Sequence, residues 1–135
     1  MHKNFYHKVK VYYEDTDAGG IVYYANYLKY LERARTEALS TIGLSNIQIK
    51  NKYGAFIIVK SCNIDYKKPA NLEDELSIRS FIKSVTKTSF YMNQIITNGE
   101  TIIVEAQVHL VFVLSLIHIS EPTRRYAISY AVFCL

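Results

Sequence analysis

Residues 13–39, YEDTDAGGIVYYANYLKYLERARTEAL, limit what this chain can fold into more than any other stretch. They follow an alternating run, residues 5–13, in which Phe5, His7, Val9, Val11 and Tyr13 share one side, the pattern of a strand. Glu14, Asp15 and Asp17 come next, and Gly19 and Gly20 let the backbone turn without a Cβ penalty. Beyond them Tyr27, Leu28, Leu31, Ala34, Ala38 and Leu39 recur at three- and four-residue steps, which predicts a long helix. Gly43 is its expected C-cap. A strand must therefore hand over to a helix through an acidic, glycine-hinged turn.

That hand-over has a chemical use. A helix start exposes unpaired N–H groups and the positive end of the macrodipole, which suit a developing oxyanion. A carboxylate beside it can act as nucleophile or as general base on a water. Spacing alone leaves a second reading open, in which Asp15 and Asp17 only cap the turn and helix.

The rest of the chain reads as strands. Ser45 is a candidate N-cap for a short helix or loop over residues 44–53. Residues 55–66, AFIIVKSCNIDY, form a second strand that Lys67-Lys68-Pro69-Ala70 breaks. Residues 74–85 and 87–96 predict a third and a fourth, with a turn at 86–88. Asn98-Gly99 signals a tight hairpin into a fifth at 101–113. One long helix followed by antiparallel strands is an α+β layout.

Lys10, Val11, Thr16, Asp17, Gly20, Ile21, Val22, Ala25 and Tyr27 stand at the spacing of a known signature, and Glu32-Arg33-Ala34-Arg35-Thr36-Glu37 extends it. The segment resembles the 4-hydroxybenzoyl-CoA thioesterase family, above all its YbgC-type acyl-CoA thioesterases, over about residues 6–113. The resemblance implies a hotdog fold, a five-stranded curved antiparallel sheet wrapped around one long central helix. It also implies a homodimer or homotetramer with the acyl-thioester site between subunits. The implied activity is hydrolysis of an acyl-CoA, with coenzyme A part of the substrate and no metal or redox cofactor. An acyl carrier protein is an alternative carrier of the acyl group.

By the same resemblance Asp17 is the catalytic carboxylate, and the Tyr24 backbone N–H is the oxyanion donor. Many YbgC-type chains have His where this one has Tyr24, so no imidazole is expected there. Tyr13 matches a tyrosine proposed to assist, against its reading as a half-buried strand aromatic. Lys87, Thr88 and Ser89 resemble a basic-hydroxyl stretch near the nucleotide of coenzyme A, with Lys60 and Ser61 as weaker candidates. Asp15 reads as structural or solvent-facing, and Glu32 and Glu37 as intrahelical partners of Arg33 and Arg35. His7 and His109 read as structural. Two competing activities remain: dehydration of a hydroxyacyl thioester, disfavoured because no His lies near the helix, and acyl-CoA or acyl-carrier-protein binding without catalysis.

Composition narrows the context. The chain has 135 residues, half of them hydrophobic, which suits one globular domain with one core. Its net charge of +4 comes from scattered lysines, so a solvated surface is expected over a nucleic-acid interface. Cys62 and Cys134 form neither a disulfide framework nor a metal site. The N-terminus lacks the apolar segment of a signal peptide, and the longest apolar run, residues 108–119, is about 12 residues, too short to span a membrane. A cytoplasmic protein is the expectation. Residues 1–113 read as the hotdog domain. Residues 114–135 depart from the family pattern, resemble translated sequencing-adapter DNA, and are set aside together with His118 and Glu121.

Overall fold

The Asn98-Gly99 signal closes a hairpin between β4 (Ser89–Asn98) and β5 (Thr101–Leu114), with Asn98 facing Thr101 and Gly99 at φ +60°. Around it the computed structural model, which describes residues 3–114, places β1 (Phe5–Lys10), α1 (Tyr24–Thr41), α2 (Asn46–Tyr53), β2 (Ala55–Tyr66) and β3 (Glu75–Val85). All neighbouring strands pair antiparallel, in the order β1-β3-β4-β5-β2. This is the five-stranded α+β architecture of the hotdog expectation, with the 18-residue α1 against one sheet face. Of the segment set aside as foreign, Leu114 closes β5 opposite Ala55, and residues 115–135, with His118, Glu121 and Cys134, lie outside the described residues.

Two apolar clusters fill the space between α1 and the sheet. The first half of α1 buries Tyr27, Tyr30, Leu31 and Ala34 against Leu76, Ile78, Ile96 and Val104. Its second half joins Ala38 and Leu39 to Ile49 of α2 and to Phe90, Met92, Val108 and Phe112. Each large side chain so buried contributes about 1.5–3 kcal/mol. Between the clusters lies a polar tie. Gln94 is 0 % exposed, and its Nε2 donates to the Leu31 carbonyl and to Ser80 Oγ, both at 3.0 Å. Its Oε1 accepts from Arg35 Nη1 at 3.0 Å. Buried polar groups need such partners, and here they lock the helix to the sheet.

The structure corrects three sequence expectations. First, β1 stops at Lys10, and residues 11–13 do not continue it. Val11 exchanges backbone hydrogen bonds with the loop at Glu73 and Asp74, and Tyr13–Asp15 make a 3₁₀ turn braced by the Tyr12 N–H on Asp15 Oδ2 (3.0 Å). Second, Leu28 is exposed, and Tyr30 takes its place on the buried face of α1. Third, among the described residues no ion pair joins Glu32 or Glu37 to Arg33 or Arg35. For Arg35 the cause is Gln94, which takes its guanidinium from across the core.

The two sheet edges differ. β1 has six residues and points Lys8 and Lys10 outward, which discourages pairing. β2 has twelve, bulges at Lys60, and leaves Phe56, Ile58, Val59 and Tyr66 exposed. On the α1 face beside β2, Tyr24 is also exposed.

Candidate active site

The turn between β1 and α1 is built from its backbone outward. Asp17 N–H donates to the Ile21 carbonyl (2.9 Å) and Gly20 N–H to the Asp17 carbonyl (3.0 Å), with Gly20 at φ +77°, where a Cβ would be strained. The carboxylate is held as well, since Asp17 Oδ1 accepts from Gly19 N–H at 2.8 Å. A Cβ at Gly19 would stand 3.3 Å from that oxygen, so a side chain there would press on the carboxylate. The neighbouring loop then clamps the turn. Val22 N–H reaches the Ala70 carbonyl, Leu72 N–H the Gly20 carbonyl, and Ala70 N–H the buried Tyr27 hydroxyl (3.0 Å).

The two aspartates divide the work. Asp15 serves the structure: its carboxylate braces the 3₁₀ turn, while its carbonyl accepts from Tyr23 N–H and from Asn26 Nδ2 (2.8 Å). Burial, and then the nearby Asp15 carboxylate, push the Tyr30 phenol above its ordinary range, and its hydroxyl is buried outside hydrogen-bond geometry. Asp17 instead lines an open cavity of about 490 Å³ together with Tyr24, Tyr27, Tyr66, Lys67 and Lys68.

That cavity meets the start of α1. Tyr23, the N-cap residue, makes no side-chain cap, and no acid stands in the first turn. The Tyr24 N–H has no hydrogen-bond partner among the described residues. Asp17 and Tyr24, the first residue of α1, therefore line one cavity. The Tyr24 ring packs on Tyr66 (centroids 4.8 Å), which fixes this wall and joins the end of β2 to the helix start. Burial raises the Tyr66 phenol above its usual value.

Other expected site residues lie elsewhere. Tyr13 is 83 % exposed and does not line the cavity. Lys87, Thr88 and Ser89 lie at the opposite end of the sheet. Ser89 pairs with Val111 and Tyr66 with Val104, seven residues apart along β5, or about 23 Å at ~3.3 Å per residue. The Ser89 hydroxyl is moreover tied to Thr86 Oγ1 at 2.7 Å. Lys60 is exposed at the β2 bulge. His109 stacks on Tyr91 and His7 sits in β1, so no described His lines the Asp17 cavity.

The structure adds Lys67 and Lys68, which read in the sequence only as the end of a strand. Both backbone N–H groups bond to the Ile103 carbonyl, at 2.8 and 3.2 Å, which pins them at the cavity. Lys67 Nζ pairs with Asp65 Oδ2 at 2.7 Å, a contact that raises its pKa, whereas Lys68 makes no ion pair among the described residues. Their nearness to Asp17 depends on contacts some fifty residues apart. The only local hint was two cations before a proline.

The family model for the thioesterase-like superfamily matches residues 11–124, a span that continues past β5 into the segment set aside above. The chain is 44 % identical over 106 residues to the acyl-CoA thioester hydrolase YbgC of Escherichia coli O6:H1, covering 78 % of each chain. It is 38 % identical over 94 residues to the acyl-CoA thioesterase YbgC of Haemophilus influenzae, covering 70 % of this chain and 69 % of that one. Among solved structures, a probable thioesterase from Bartonella henselae superposes with a TM-score of 0.76 at 30 % identity, over 85 % of this chain and 94 % of the other. A mutant 4-hydroxybenzoyl-CoA thioesterase complexed with 4-hydroxybenzoyl-CoA shares the fold, with a TM-score of 0.75 at 24 % identity over 82 % of this chain and 84 % of the other.

Proposed function

The chain belongs to the thioesterase-like superfamily, on its YbgC-type branch, and from that premise we propose that it hydrolyses acyl-CoA thioesters to the free acid and coenzyme A. The observation that carries this reading is that Asp17 and Tyr24, whose N–H has no partner among the described residues, line one cavity. In the reaction water oxygen ends on the thioester carbonyl carbon, the C–S bond breaks, and the thiolate leaves with a proton. Asp17 either attacks the carbonyl itself, forming an anhydride that water then opens, or draws the proton from the attacking water. In both routes negative charge grows on the carbonyl oxygen, and the Tyr24 N–H at the positive end of α1 receives it. These groups complete the hydrolysis without a metal or redox cofactor.

We place the complete site between two copies. β2 is the long, apolar edge, unpaired among the described residues, and pairing it antiparallel with the same strand of a second copy covers Phe56, Ile58, Val59 and Tyr66. A tetramer built from two such pairs is compatible with this arrangement. No described helix is long and apolar enough to cross a membrane, and a cytoplasmic location belongs to the proposal. An acyl carrier protein is a second carrier able to deliver the same thioester.

The test is thiol release from a panel of acyl-CoAs, aliphatic and aromatic, by the unaltered protein and by Asp17→Asn. We expect turnover in the first and a loss of about 10³-fold or more in kcat in the second, with coenzyme A binding retained. An Asn variant that keeps its turnover rejects Asp17. A protein that saturates with acyl-CoA and frees no thiol is a binding module.

A further inference from the structure

A second cavity lies at the other end of β2. It measures about 500 Å³, and its lining includes Leu39, Ile57, Val59 and Leu110 with Glu32 and Arg35. Arg35 is only partly exposed and its guanidinium is held from behind. Both partners of the Gln94 amide nitrogen are fixed, Leu31 by the helix and Ser80 by the sheet, so the Gln94 oxygen must face Arg35 Nη1. That bond uses one of the five donors on a guanidinium. Glu32 is exposed one turn earlier, beyond ion-pair distance, and no carboxylate pairs with Arg35 among the described residues. Burial lowers the Arg35 pKa, and Cys62 and Glu32 offset this only in part.

A half-buried guanidinium beside apolar walls favours a ligand that brings the missing acceptors. The planar fork fits the two oxygens of a carboxylate, and the leucine and isoleucine walls fit a methylene chain. We propose that this cavity takes the far end of the acyl group and is built for acyl chains that terminate in a carboxylate. The proposal rests on the hydrolase reading and on the pairing of β2. Within one chain, Tyr24 and Arg35 are eleven residues apart along α1, about 16 Å at ~1.5 Å per residue. Antiparallel pairing of β2 sets the Tyr66 end of one copy beside the Ile57 end of the other. The thioester at Asp17 then faces Arg35 of the partner subunit.

The experiment compares adipyl-CoA with hexanoyl-CoA, equal in chain length and differing in the terminal carboxylate. The unaltered protein should favour adipyl-CoA by tenfold or more in kcat/KM. Arg35→Met should erase that preference while hexanoyl-CoA turnover persists, and Arg35→Lys should recover part of it. Because Arg35→Met strips Gln94 of a partner and risks misfolding, calorimetry on the unaltered protein supplies a second measure: free adipate should bind at least tenfold more tightly than hexanoate. Equal turnover of the two thioesters, with adipate binding no better than hexanoate, overturns the proposal and leaves the hydrolase reading standing. Tighter adipate binding in a protein that cleaves no acyl-CoA supports the pocket and rejects the hydrolase.

Discussion

The two helices of this molecule begin in opposite ways. At α2 the Ser45 hydroxyl accepts from Gln48 N–H (3.2 Å) while the Gln48 side chain accepts from Ser45 N–H (2.9 Å), a reciprocal cap on an eight-residue helix. At α1, which is more than twice as long, Tyr23 offers no side-chain cap, the first turn holds no acid, and Tyr24 lines a cavity with Asp17. A good cap contributes about 0.5–2 kcal/mol, so α1 forgoes a stabilisation that α2 takes. The contrast teaches that the open start is a property of one place. The chain has the means to cap a helix, uses it at α2, and leaves α1 without a side-chain cap at the place where the proposed hydrolysis needs an oxyanion donor.

The sharpest way to break this contrast is to close the open end. Tyr23 is largely exposed, so Tyr23→Asp sacrifices little packing and supplies the missing cap. Melting should show a gain of about 0.5–1 kcal/mol. Thiol release should fall by 10- to 100-fold in kcat, because a fixed carboxylate then sits where the oxyanion develops. Unchanged turnover would remove the start of α1 from the reaction.

The reverse change at α2 should have a smaller and different effect. Ser45→Ala removes one side of the capping box and should cost about 1 kcal/mol in a denaturant titration. Turnover per folded molecule should stay the same, and a fall in kcat would tie α2 to the chemistry. The smallest effect concerns pH. Burial holds the Tyr27 and Tyr30 phenols, on the inner face of α1, above their ordinary value. The folded chain therefore keeps these protons more tightly than the unfolded chain. This contribution is whole below about pH 10 and drains as the pH rises further. Tyr27→Phe should flatten that alkaline loss when stability is compared at about pH 8 and pH 11, and an unaltered slope would acquit Tyr27.

Local patterns made much of this legible. Aliphatic and aromatic richness located β2, alternation located β3 to β5 within a residue or two, because half-buried strands repeat at a period of two, and Asn98-Gly99 located the hairpin because few other pairs adopt its turn. Ser45 showed its cap in advance. What stayed hidden depended on distant partners. Tyr12 and Tyr13 have strand propensity, but the Tyr12 N–H goes to the Asp15 carboxylate, the Tyr13 carbonyl accepts from Thr16 N–H, and the loop at Glu73 takes the backbone of Val11 before them. Arg35 stands three residues from Glu32, the spacing of a helical ion pair, yet Gln94 holds it from 59 positions away. Asp17 was legible as a candidate from its motif. Lys67 and Lys68 were not, since tertiary contacts, among them Tyr66 on Tyr24 and both lysine N–H groups on the Ile103 carbonyl, bring the end of β2 to its cavity.

The bare edge of β2 has one more consequence. If the reactive centre is assembled only when two such edges meet, a lone chain is inert however well it folds, and specific activity becomes a function of dilution. Each molecule would then be an obligatory activator of the next, with a threshold set by the dissociation constant of the pair. The amount synthesised would by itself switch the chemistry on.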